Sequence, residues 1–259
     1  MRSYFAFTIT ALACTSAFAQ GTASSKATAA INTGVGCTLA TQTTIGDTLP
    51  QTCHDIFSGA SVPVTLDNFA SIMTSTIKVS NSQSLFVSPS LVTGLYTQTK
   101  TRTSPGTTST AVAEGGVFLR AIVTNQATGV VQIGWPVAAC TADILGCHAD
   151  ANGTFGVTLD TRVQTLTQDI SACIVTVAGT SGGTCTFDLT TDLILQTTSA
   201  HTFNFIFPNI GVGTYTVEIQ AAVNAGASVA GLGTAVGAAA YGLGSMTVES
   251  VRLVHDFSF

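Results

Sequence analysis

With 259 residues, a formal net charge of −5 and 8% charged side chains, the chain is depleted in charge against the roughly 25% of an ordinary soluble domain. Eight Lys and Arg together are too few to neutralise a phosphate backbone, which excludes an electrostatic nucleic-acid binder. An apolar fraction of 46% excludes a charge-rich disordered chain, and the length suits one large all-β domain or two small ones.

Residues 1–19 read as a secretory signal peptide. Arg2 supplies the positive start, residues 4–14 are apolar except for Thr8 and Thr10, and Ala17-Phe18-Ala19 is a small-x-small cleavage site. Cleavage there leaves seven basic and thirteen acidic residues, a net charge of −6, and removes Cys14. The mature protein is expected to be secreted and extracellular. Its six cysteines are Cys37, Cys53, Cys140, Cys147, Cys173 and Cys185. An even count behind an export signal reads as a disulfide framework. Pairing of sequence neighbours is expected: Cys37–Cys53, Cys140–Cys147 and Cys173–Cys185. No Cys-x-x-Cys pair is present, so zinc is not expected.

Residues 20–63 are rich in Thr, Ala and Gly and lack apolar periodicity. They read as an irregular N-terminal extension tied by its own disulfide, ahead of a β-sandwich domain over residues 64–259. Within that domain, Thr97, Thr99, Thr101 and Thr103 alternate with Gln98, Lys100 and Arg102. The alternation predicts an exposed edge strand guarded by charge. An ice-binding array would need stacked repeats, and no fixed period is found. Val117, Leu119, Ala121 and Val123 alternate with Phe118, Arg120 and Ile122, a turn follows over 125–129, and residues 130–137 return, predicting a hairpin.

Cys140 and Cys147 bracket Asp143, with His148, Asp150 and Asn152 just beyond. Asp150, Asn152 and Thr154 place oxygens at alternate positions, as a calcium loop would. The third acid and the closing bidentate Glu are missing, so no metal is expected. Asn152-Gly153 predicts a type I′ hairpin turn, and Asn152-Gly153-Thr154 is an N-glycosylation sequon. Helical spacing is confined to Val163, Leu166 and Ile170, and to one turn over 192–197. Gly179-Thr180-Ser181-Gly182-Gly183 matches the G-x-S-x-G nucleophile elbow. The elbow needs a helix after it, whereas a strand-like run follows, so a hairpin turn is expected here instead.

Tyr215, Val217, Ile219, Ala221 and Val223 share one face of a half-buried strand. Tyr215 follows Gly213 at its start, the position of a tyrosine corner, whose hydroxyl bonds back to upstream backbone in Greek-key sandwiches. Residues 219–248 carry no charge but are dominated by Ala and Gly, with Leu at 232 and 243 alone. A spanning helix needs more apolar bulk, so a hairpin of small residues against a neighbouring sheet is expected, with no transmembrane span. Met246 and Val248 differ in parity from Val251 and Leu253, which predicts a β-bulge near Glu249-Ser250. His54, His148, His201 and His255 show no metal-ligand spacing.

The reading is an all-β antiparallel sandwich of Greek-key or jelly-roll kind, exported and disulfide-stapled. Forty-four Thr residues supply strand propensity and a hydrated surface without charge. The expected role is structural, adhesive or ligand-binding at a cell surface, with a carbohydrate or cell-surface partner, no cofactor and no enzymatic activity. Two alternatives are a secreted carbohydrate-active hydrolase, with Asp143, Asp150 and Glu114 as its first candidate carboxylates, and a virulence-type effector. A flat face bearing Trp135, Tyr96 or Tyr241 would mark a sugar-binding module.

Overall fold

The computed structural model describes residues 26–58, 67–170, 174–177, 180–184 and 188–252. The period-two alternation in the sequence becomes strands nearly throughout. They are β1 (Ala27–Asn32), β2 (Gly36–Thr43), β3 (Ala70–Val79), β4 (Gln83–Thr103), β5 (Thr107–Asn125), β6 (Val131–Ile133) and β7 (Cys147–Ala149). There follow β8 (Phe155–Ile170), β9 (Ile174–Val177), β10 (Thr180–Thr184), β11 (Leu189–Thr202), β12 (Phe205–Ile210), β13 (Gly213–Ala230) and β14 (Leu232–Val251). One helical turn, α1 (Cys53–Ile56), sits between β2 and β3. No helix among the described residues is long and apolar enough to cross a membrane.

Two antiparallel sheets pack face to face, the sandwich that the sequence predicts. Sheet 1 runs β1-β14-β4-β11, with β2 also on β14 and β12 also on β4. Sheet 2 runs β3-β13-β5-β8-β7, with β6 also on β5. Between them lies an apolar core that includes Leu85, Leu91, Leu95, Leu119, Ile219, Phe205, Phe207 and Met246, all essentially inaccessible. Tyr215, Val217, Ile219, Ala221 and Val223 all point into it. The predicted hairpin forms as β5–β6, its turn closed by Gly129 at φ 70.

Tyr215 forms the predicted corner. Its hydroxyl donates to the carbonyl of Gly211 at 3.0 Å, while its ring is buried. Tyr215→Phe keeps the ring and loses one bond. It is expected to lower unfolding free energy by about 1 kcal/mol, measured by urea denaturation. A variant as stable as the parent would show that the corner contributes nothing.

Among the places where the chain changes sheet, two are arches closed by left-handed glycines. One joins β4 to β5 through Gly106 at φ 79, the other joins β13 to β14 through Gly231 at φ 85. The small-residue stretch over 219–248 is therefore not a hairpin, because β13 and β14 lie in opposite sheets. Its glycines let the sheets approach. A Cβ on Gly115 would stand 2.7 Å from the Ala238 carbonyl oxygen, and one on Gly237 would overlap the carbonyl oxygens of Glu114 and Gly226. Ser109, buried beside the arches, accepts from Leu232 N at 3.1 Å and donates to Arg102 O at 2.9 Å.

The structure corrects several other expectations. The extension is not irregular, because β1 and β2 both pair with β14. Residues 44–58 then strap the outer face of sheet 1. Asp47 accepts from Thr234 Oγ1 at 2.8 Å and from Lys100 Nζ at 3.0 Å, and these bonds hold its carboxyl below the usual range. The Cys37–Cys53 disulfide buries the end of the strap under Ala240 and Phe57. Cys140–Cys147 also forms, while Cys173 and Cys185 lie outside the described residues, as do residues 1–19. The helical spacings over 163–170 and 192–197 belong to β8 and β11. There β8 turns its even residues inward, with Gln164 buried and Asp160, Arg162 and Gln168 half-buried, and edge position leaves β11 exposed on both faces. No bulge interrupts β14 at Glu249-Ser250; the register shift falls between Tyr241 and Gly244.

The Thr row is the largest correction. β11 pairs outside β4 over fourteen residues without a register shift, so β4 is an interior strand. Thr97, Thr99, Thr101 and Thr103 are all 0% exposed. They face β8, where Gln164 accepts from Thr97 Oγ1 at 2.6 Å and donates to Thr99 Oγ1 at 2.7 Å and to Leu193 O at 2.9 Å. Gln168 accepts from Thr101 and Thr103 at 3.0 and 3.2 Å. One flank of the sandwich interior is thus a polar layer in which the Thr hydroxyls of β4 and the glutamine amides of β8 are hydrogen-bonded to one another, as burial favours.

Candidate functional site

Outside sheet 2, even-numbered residues of β5 and β13 point away from the core. Register sets Gly116 beside Asn224 on one flank and Thr161 on the other. Gly116 has no side chain for a reason: a Cβ there would stand 2.5 Å from the ring of Phe118. That ring stacks on His148 from β7, with centroids 3.6 Å apart and an interplanar angle of 13°. His148 Nε2 lies 3.0 Å from both carboxylate oxygens of Asp67, and Asn224 Nδ2 donates to Asp67 at 2.7 Å. The loop closed by Cys140–Cys147 brings Asp143 over the same surface. Glu114, Asp143, His148, Asn224 and Thr161 line one groove of about 240 Å³.

Two of the three candidate carboxylates, Glu114 and Asp143, therefore line one groove. The third, Asp150, is buried in the β7–β8 turn with its oxygens used by backbone. Oδ1 accepts from Asn152 N and Thr154 N at 2.9 and 2.8 Å, and Oδ2 accepts from Phe69 N at 3.1 Å. The turn itself is not type I′, since Asn152 keeps negative φ and only Gly153 is left-handed, at φ 75. It is a three-residue hairpin loop, for which glycine in the left-handed region is the usual closure. Asn152 is exposed at its tip. Asp67, Phe118 and Asn224 are site residues that sequence reasoning missed. The facing of Phe118 and Asn224 could be read from strand alternation, but not the register that gathers them with Asp67, which lies in a bend before β3.

A second groove lies outside sheet 1, at the end of the strap. Phe57 leans on Gly94, where a Cβ would stand 3.0 Å from its ring, and the Tyr241 ring covers Gly36. Val35, Phe57, Tyr241 and Leu243 form apolar walls, with Gln196 and Thr198 on β11 as a polar rim. The groove encloses about 510 Å³, and no charged side chain lines it. Burial pushes the Tyr241 hydroxyl pKa up, so the phenol stays neutral. Tyr96 is half-buried nearby in sequence on β4, donating to Gln98 at 3.1 Å. Trp135 lies apart, half-buried between β6 and the next turn, where its backbone exchanges bonds with Ile206 of β12 at 2.9 and 3.0 Å. The three aromatic residues do not share one flat face.

Ser181 lies in β10, its backbone paired with Thr176, rather than in the expected turn; residues 178–179 lie outside the described residues. A different serine meets a histidine and a carboxylate. Ser199 Oγ is 2.7 Å from His201 Nε2, and Asp160 Oδ2 is 3.4 Å from the same nitrogen. A catalytic triad needs the acid on the opposite ring nitrogen, so that a proton taken at one is balanced at the other. Here both partners share Nε2, and no relay passes through the ring. His54 is exposed on α1, and His255 lies outside the described residues. Among the described residues no three His, Cys, Asp or Glu side chains are grouped to hold a metal ion. Comparison with protein-family models, curated proteins and solved structures finds no match to this chain.

Proposed function

We propose that the protein is an exported β-sandwich that binds an uncharged carbohydrate in the groove outside sheet 1, as a non-enzymatic module at a cell surface. The observation that carries the reading is the groove's lining: two aromatic rings and aliphatic walls, an amide and hydroxyl rim, and no charge. A sugar ring offers an apolar C–H face to aromatics and hydroxyls to amides, and neutral partners avoid the cost of desolvating a charge. Export is supported by the leader-like residues 1–19 and by the two disulfides, which persist in oxidising compartments. In a eukaryotic secretory pathway the exposed Asn152 would be an acceptor for N-glycan.

A glycan array and polysaccharide pull-down on the mature chain test this. Binding to neutral polysaccharide is expected, and Leu243→Asp, at a residue 66% exposed, is expected to weaken it by about tenfold or more. Silence in both assays would overturn the reading. The second reading, a hydrolase, is favoured by one observation: Glu114 and Asp143 line the same groove outside sheet 2. Two carboxylates flanking a glycosidic bond can serve as acid and base. The same preparations assayed for new reducing ends distinguish the readings, since release abolished by Glu114→Gln belongs to that groove alone.

A further inference from the structure

We propose that β11 is the contact strand of a two-fold dimer of this chain, pairing antiparallel with β11 of a second copy about Ile194. β11 is an edge of sheet 1, its backbone laddered to β4 and to no other strand among the described residues. Native edges are normally protected by Lys, Pro, a bulge or short length. β11 is fourteen residues long, has no Lys, Arg or Pro, and pairs with β4 without a register shift. Its central Leu193, Ile194 and Leu195 are 42%, 53% and 43% exposed.

The register follows from parity. Antiparallel partners share a face, so a strand pairing with its own copy must centre on a residue. Centred on Ile194, the strand LTTDLILQTTSAHT sets Leu193 opposite Leu195 of the second copy, and Ile194 opposite itself. Asp192 then meets Gln196 rather than another acid, and Thr191 meets Thr197. Both leucines face inward, because their β4 partners Thr99 and Thr97 do. The second copy would therefore close the open flank of the interior over the polar layer.

Size is sufficient. β8, the strand of sheet 2 beneath, is tied to β11 by Arg162 Nη2 to Thr197 at 2.5 Å and by Gln164 to Leu193 O. An edge about 48 Å long and two layers deep presents on the order of 800 Å² per copy, the size of a standard specific interface.

Sedimentation equilibrium of the mature chain, up to about 100 μM, reads the outcome. The expected mass is twice that of one chain. Ile194→Lys, on the outer face and checked by circular dichroism to be folded, is expected to give a monomer, whereas Leu243→Lys elsewhere on sheet 1 keeps the dimer. Mild oxidation of Ile194→Cys is expected to trap a covalent dimer, because residue 194 faces its own copy within disulfide reach, and Thr190→Cys is not. A monomeric parent chain, as expected if the edge receives a strand from another protein, overturns the proposal. So does a dimer that survives Ile194→Lys. A dimer without the Ile194→Cys cross-link overturns the register.

Discussion

Gly237→Ala is expected to cost about 3 kcal/mol or more of stability, because a methyl group has no space between the two sheets there. The added carbon would overlap two backbone oxygens, Glu114 O on β5 and Gly226 O on β13. A flexible side chain could turn away, but these atoms are fixed by the β5–β13 ladder, which pairs Glu114 with Gly226. Relief requires sheet 1 to lift from sheet 2 along β14, which would open the buried Ala235, Val236, Ala238 and Ala239. Denaturant unfolding measures the loss. Gly242→Ala is the control, since a Cβ there meets nothing within 4 Å, and a change within about 0.5 kcal/mol is expected. If the two variants proved equally stable, the sheets would not approach as closely as the backbone indicates.

Gln164→Leu is expected to cost about 3 kcal/mol, through what it leaves behind rather than what it removes. Gln164 is the buried hub of the polar layer. Its loss orphans the buried Thr97 and Thr99 hydroxyls and the part-buried Leu193 carbonyl, and each fully buried unsatisfied group costs about 1–3 kcal/mol. The diagnostic is reversal. With Thr97→Val and Thr99→Val added, two of the three orphans disappear, and more than half of the lost stability is expected to return. Failure of the triple variant to recover would mean that Leu at 164 is rejected for its shape, and that the hydrogen bonds are incidental.

The same two regions show what sequence can and cannot specify. Alternation over 215–223 named the buried face of β13 correctly, since one parity there is apolar and the other polar. The Tyr215 corner and the Cys37–Cys53 and Cys140–Cys147 pairs were also legible, because each joins residues close in sequence. The Thr97–Thr103 alternation was ambiguous by nature. It separated hydroxyls from charges, and a Thr can be hydrated outside or hydrogen-bonded inside. Burial was decided by β11, some ninety positions away, and by the two glutamines of β8 that answer the hydroxyls. Likewise the Ala and Gly over 219–248 signalled close packing, but not that the neighbour lies across the sandwich.

At the candidate sites, Glu114 and Asp143 were named, yet their sharing one groove depends on the loop closed by Cys140–Cys147 and on the register of Gly116 with Asn224. Asp150 was named for its charge, while its work is local, accepting backbone amides of the turn. The groove outside sheet 1 left almost no trace in sequence. It arises where the strap end, the bulge at Tyr241 and the edge strand β11 converge, three segments that no single periodicity connects.

The strand order of sheet 1 also governs when the protein can fold. β14 is held on one side by β1 and β2 and on the other by β4, so the sheet has a gap in its middle until residue 251 is available. Short-range closures such as the β5–β6 hairpin and the Cys140–Cys147 loop can form early, but they enclose none of sheet 1. Loop-closure entropy delays pairings this distant in sequence. During biosynthesis the first two hundred and thirty residues therefore wait as an open half-sandwich. In that interval the surfaces that β14 will cover stay open, and exposed apolar surface of this kind can associate with other chains.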